Sequence, residues 1–148
     1  HGVPSHMPCG ISFNRDEDYL IVRLPSGRKL YYYKPEIRLN DRGKDAIHFQ
    51  GAEQKTKIWG LISTYGGKLT ENIVQAVARD LLANALMNLY GKGYCINFHI
   101  HDEVIMEVPR GAVKNLEEAL SLMCRLPDWA DGLPVNAAGF ESDYYMKD

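Results

Sequence analysis

Between Lys68 and Tyr90, the residues Leu69, Ile73, Val77, Leu81, Ala85 and Leu89 recur every fourth position, and Val74, Ala78, Leu82 and Leu86 form an adjoining row. That period predicts an amphipathic helix over residues 68–90, with Gly91 as its C-cap. A face this broad belongs in a core, so the remainder of the chain has to cover it.

The cover is readable as strands. Residues 19–24 and 29–33 alternate or run apolar around the turn Pro25-Ser26-Gly27-Arg28, and Pro35 is expected to stop the second strand. Two further strands are expected at 46–50 and 57–62, giving an antiparallel sheet over 19–62. After the helix, residues 94–108 read as a hairpin, 111–124 as a second amphipathic helix built on Val113, Leu116, Leu120 and Met123, and 134–140 as a short last strand. The fold class is therefore α+β, an antiparallel sheet with packed helices. At 148 residues the chain suits a single domain, expected over 8–148. Residues 1–7 lack periodicity and read as an expression-tag remnant.

Composition narrows the class without choosing a function. Hydrophobic residues at 45% and charged residues at 24% describe an ordinary globular chain. No apolar run is long enough to span a bilayer and no signal sequence is recognisable, so a cytoplasmic location without membrane partners is expected. Cys9, Cys95 and Cys124 form no CxxC pair and read as reduced, mostly buried thiols. A formal net charge of −2 neither advertises nor excludes nucleic acid.

Three features carry chemistry. The hairpin at 94–108 turns at His101-Asp102-Glu103, where no glycine is present and two carboxylates stand side by side. Repulsion between them makes most sense if a cation lies there or if one points to water. A polar stripe, Lys68, Asn72, Gln75 and Arg79, is spaced four, three and four residues apart along the helix, so one side of its first three turns presents two amides between two cations. Such a stripe suits an anionic polymer as well as solvent. Tyr31-Tyr32-Tyr33 read chiefly as packing residues of a half-buried strand, with stacking on a base or ring as the rarer use.

Taken in order, these motifs resemble the palm end of family A DNA polymerases, and the phage-type members in particular. The resemblance is carried by Leu24-Pro25-Ser26-Gly27-Arg28, by Tyr65-Gly66-Gly67-Lys68-Leu69-Thr70-Glu71-Asn72-Ile73-Val74-Gln75-Ala76, by His101-Asp102-Glu103 between apolar strand segments, and by Trp129-Ala130-Asp131-Gly132-Leu133-Pro134. It spans residues 20–147. It implies that Asp102 binds one of two catalytic magnesium ions and that Glu103 is an auxiliary ligand. It also implies that His101 sits beside the primer terminus, and that Gln75, Asn72, Lys68 and Arg79 face primer–template DNA, with deoxynucleotide triphosphates as the other partner.

Departures from the pattern limit what these residues are expected to do alone. The family's first motif, Asp-Tyr-Ser with its metal-binding aspartate, has no counterpart here, and Asp18-Tyr19-Leu20 stands in the wrong place. The fingers helix is missing too. Lys57 and Tyr65-Gly66 mimic its end, but Glu53 stands where its arginine belongs. The chain is thus expected to be a C-terminal palm piece, inactive without an upstream polymerase segment. Two rivals remain: a non-catalytic DNA-binding or assembly module derived from a polymerase, and a metal hydrolase built on His99-x-His101-Asp102.

Overall fold

The computed structural model describes residues 5–6 and 10–146. Where a single domain was expected, the chain divides into two compact units, His1–Val77 and Ala78–Asp148. The helix at its centre contributes to both.

In the first unit six strands form an antiparallel meander in sequence order: β1 (Ser5–His6), β2 (Ser12–Arg15), β3 (Tyr19–Arg23), β4 (Lys29–Leu39), β5 (Asp45–Ala52) and β6 (Trp59–Thr64). Two residues of the presumed tag remnant, Ser5 and His6, thus pair with Phe13 and Ser12. Residues 1–4 and 7, and Cys9, lie outside the described residues. The β3–β4 turn forms as its sequence predicts: Leu24 N–H donates to the Arg28 carbonyl at 2.8 Å and Gly27 takes a φ of 87°. Pro35 does not end β4. Two residues of β4, Lys34 and Pro35, stand between ladder positions where β5 has one, so the ring occupies a bulge and its missing N–H is not needed. The β5–β6 turn holds Glu53 and Lys57. Glu53 accepts the amide protons of Thr56 at 2.6 Å and Lys55 at 3.0 Å, and those bonds, Thr56 first, pull its carboxyl below its ordinary range.

One face of this sheet packs on the first half of the helix. Val22, Leu24 and Tyr32 bury against Leu69, Ile73 and Ala76, with Phe13, Leu30, Ile47 and Phe49 around them. Alternation along β6 is regular, with Trp59, Leu61 and Ser63 exposed and Thr64 buried.

The helix itself, α1, runs Gly66–Gly91, two residues earlier than its apolar period suggests. Its C-cap lies elsewhere than expected: Gly91 is helical, and Gly93, at φ 78°, takes the left-handed position. Gly93 N–H donates to Tyr90 and Tyr94 N–H to Leu89, the paired bonds of a Schellman motif, and Leu89 and Tyr94 supply its apolar contact, both buried. The expected row at Val74 and Ala78 is exposed instead.

The second unit contains the rest of α1, the hairpin β7 (Cys95–Ile100) and β8 (Glu103–Glu107), and α2 (Leu116–Met123). Leu89, Tyr94, Ala119 and Leu122 form its core, flanked by Ile96, Val104 and Met106. The second helix is shorter than the predicted 111–124. Gly111 sits at φ 79° and Val113 is 97% exposed, while the Asn115 side chain accepts the Glu118 N–H at 2.8 Å and starts the helix there. Residues 134–140 form no strand. Pro134 lacks a ladder donor, and Ala137-Ala138-Gly139 offer little side chain to pack. Cys95, expected to be buried, is exposed opposite Glu107. The class is α+β, antiparallel sheets with helices. Among the described residues no helix is long and apolar enough to cross a membrane.

Candidate active site

The tip of the β7–β8 hairpin is a two-residue turn, His101-Asp102, closed by the pair Ile100 and Glu103. Without glycine, the turn obtains its left-handed residue from His101, at φ 52°. Histidine is among the side chains better tolerated there, but the conformation is still uncommon for any residue with a Cβ. The imidazole and the Asp102 carboxylate are both exposed, and Glu103, the first residue of β8, is half-buried. The turn therefore presents Asp102 to solvent and keeps Glu103 beside it on a strand.

A bulge below the tip decides which way the neighbouring side chains face. The register passes from Ile96 opposite Met106 to Phe98 opposite Ile105, leaving Asn97 as the extra residue. Simple alternation would place Phe98 and Ile100 with Ile96. With Asn97 inserted, His99, opposite Val104, joins the core-side face of Ile96 and Met106. Phe98 turns to the other side, where it meets Tyr145 at 5.4 Å between centroids. His99 is thereby brought to α1. Arg79 places its two terminal guanidinium nitrogens 3.3 Å from the two ring nitrogens of His99. An imidazole offers one acceptor nitrogen at most, so at most one of these contacts is a hydrogen bond.

The hairpin is anchored at its base by Tyr94. Its hydroxyl donates to Glu118 Oε2 at 2.8 Å and lies 3.1 Å from the Asn115 carbonyl oxygen. Burial of the ring, then the Glu118 carboxylate, pushes the phenol above its ordinary pKa. Lys114 donates to the Gly93 carbonyl and lies over the Tyr94 ring.

The residues expected to face DNA are distributed unevenly. Lys68, Asn72 and Gln75 belong to the first unit. Glu71 ties two of them together, ion-paired to Lys68 at 3.0 Å and accepting from Gln75 Nε2 at 3.2 Å. Asn72 is half-buried and donates to the Tyr32 hydroxyl at 3.1 Å, so it works as a helix-to-sheet tie. Arg79 belongs to the second unit with His101, Asp102 and Glu103. Two contacts escaped the sequence reading. Glu71 stands three residues after Lys68 and four before Gln75, a spacing that signals such contacts. His99 entered only as a metal ligand of the hydrolase alternative; the bulge brings it to Arg79 instead.

Asp102 and Glu103 offer carboxylate oxygens, which suit magnesium better than zinc, and the exposed His101 imidazole stands beside them. Among the described residues no three His, Cys, Asp or Glu side chains gather as a metal-binding group. Asp102 and Glu103 are two carboxylates of the kind magnesium takes. His99 of the hydrolase alternative is exposed and lies against Arg79.

Over 146 residues, 98% of its length, the chain is 47% identical to a DNA polymerase of Bacillus phage SP02. It spans 22% of that protein. No family model matches the chain. No solved structure matches it either.

Proposed function

We propose that this chain is the C-terminal palm portion of a family A, phage-type DNA-directed DNA polymerase, supplying part of a two-metal nucleotidyl-transfer site. The observation that carries this reading is the 47% identity to a phage DNA polymerase over 146 residues of the chain. The polymerase's DNA and deoxynucleotide triphosphates are the partners this implies. Cytoplasm, of a bacterium or a phage-infected cell, is the compartment.

The residues divide the work as follows. Asp102, exposed on its turn, is the magnesium ligand, and Glu103 beside it is the auxiliary carboxylate. When bound, magnesium stabilises the charge on the attacking and leaving oxygens of phosphoryl transfer. His101, fixed by its left-handed backbone, contacts the primer end. Gln75, Lys68 and Arg79 meet the primer–template through its backbone and minor groove, contacts that depend on duplex shape more than on sequence. Asn72, tied to Tyr32, positions the helix and contributes to that surface from its half-buried place. Arg79 also braces His99 on the hairpin.

Because no first-motif aspartate lies within these 148 residues, they do not extend a primer by themselves. Primer extension with template, nucleotides and magnesium tests this directly. No product is expected from the chain alone, and product is expected when a segment bearing the first motif and fingers is supplied in trans. Asp102→Asn should then reduce the complemented rate by about a hundredfold or more. Robust extension by the isolated chain, or full activity of Asp102→Asn in the complemented enzyme, would overturn the assignment. The alternative of a non-catalytic DNA-binding module predicts duplex binding with no complementation.

A further inference from the structure

We propose that the outer face of the six-stranded sheet, the face away from α1, binds single-stranded nucleic acid, with Tyr31 and Trp59 as stacking platforms and Arg23 and Lys29 as phosphate contacts. The inference does not rest on the polymerase reading and uses none of its site residues.

The register of the ladder defines this face. Tyr32 points into the core, so its neighbours Tyr31 and Tyr33 point outward, Tyr31 lying opposite Ile21 and Tyr33 opposite both Tyr19 and Gln50. Gln50 pairs in turn with Leu61 on β6, so the outward face continues there to Leu61 and Trp59. Tyr31 and Trp59 thus stand on the same face of the sheet, with β5 between their strands. Tyr31 is 57% exposed and Trp59 63%. Tyr31 is also held in place: Tyr19 meets it edge-on at 5.7 Å and meets Tyr33 at 5.3 Å. A ring already fixed by its neighbours loses little freedom when a base stacks on it.

The charge on this face favours an anion. Arg23 and Lys29 are directly opposite each other across β3 and β4, both exposed. Like charges in that relation destabilise a sheet, and no ion pair among the described residues engages either one. A phosphate between them would relieve the repulsion. Lys34 adds a third cation, 5.3 Å from the centroid of the Tyr33 ring. The acid on the face, Glu36, is neutralised by Arg38 at 2.8 Å. Asp16, Glu17 and Asp18 in the β2–β3 turn beside Tyr19 repel a polyanion, so the strand runs from Lys29 across Tyr31 toward Trp59. Exposed aromatic rings interleaved with cations on a sheet suit unpaired bases, whose faces are free to stack, and give a paired duplex no comparable purchase.

Fluorescence anisotropy with a labelled oligothymidylate, without nucleotides or metal, tests the proposal separately from polymerase activity. The full chain should bind, and binding should weaken as salt rises. Tyr31→Ala should weaken it about five- to a hundredfold and Tyr31→Phe by no more than about twofold, because stacking needs the ring and not the hydroxyl. Lys29→Ala should lower the slope of affinity against salt by about one phosphate contact. Circular dichroism confirms that these exposed substitutions leave the fold intact. The proposal is overturned if the chain gives no anisotropy change, if Tyr31→Ala binds as the parent does, or if unlabelled duplex competes as well as unlabelled single strand.

Discussion

His101 pays a backbone cost that glycine would avoid. A left-handed conformation disfavours a residue bearing a Cβ by about 1–2 kcal/mol, of which glycine's greater freedom in the unfolded chain returns about half. His101→Gly should therefore raise the unfolding free energy by about 0.5 kcal/mol in urea titrations, while lowering primer extension in the complemented polymerase. A drop in stability would mean that the turn is not strained. The strain is expected where a side chain, rather than the turn itself, is what the position supplies.

Thr64 makes a similar point from inside the first unit. It ends β6 opposite Ile47, is 2% exposed, and its hydroxyl has no hydrogen-bond partner. Replacing it with the near-isosteric valine removes an unsatisfied buried group. Thr64→Val should stabilise the chain by about 1 kcal/mol, measured as a higher urea midpoint at unchanged slope.

At the scale of elements, the end of α1 distinguishes two glycines that look alike in sequence. Gly91 is helical with open space where a Cβ would go, whereas Gly93 is at φ 78°. Gly91→Ala should stabilise by about 0.5–1 kcal/mol through helix propensity, and Gly93→Ala should destabilise by about 1 kcal/mol or more. Thermal unfolding of the pair reads both signs. The opposite order would restore Gly91 as the cap. Likewise Asn115→Ala should cost about 1 kcal/mol, because it removes the side-chain acceptor that starts α2 at Leu116.

For the molecule as a whole, alkaline pH acts through the second unit. Burial and the Glu118 carboxylate hold the Tyr94 phenol above the ordinary value of 10.0. A raised pKa means that the folded state binds this proton more tightly than the unfolded state does. The stabilisation is complete below the unfolded value and declines as pH rises from there through the folded one. Unfolding free energy should thus fall above about pH 10, and Tyr94→Phe should flatten that decline while costing about 1 kcal/mol at neutral pH for the lost hydrogen bonds. Urea titrations of parent and variant across this range provide the comparison.

What sequence alone determined was local: the four-residue apolar period of α1, the turn at Pro25–Arg28, and the two carboxylates adjacent at a hairpin tip. These follow from neighbours in the chain, whose geometry is set by backbone sterics and turn chemistry. Tertiary structure decided the rest. Two separate apolar cores divide at Val77 and Ala78 along one continuous helix, and no local pattern marks that boundary. The Asn97 bulge is set by pairing with β8 and turns His99 toward Arg79. Asn72 became a tie to Tyr32 because residues 40 positions apart met across a core. The three tyrosines, identical as a string, separate into one core residue and two outward rings only once the sheet has a covered face. Contacts between distant residues depend on how elements pack, and packing has no signature in the spacing of a single strand or helix.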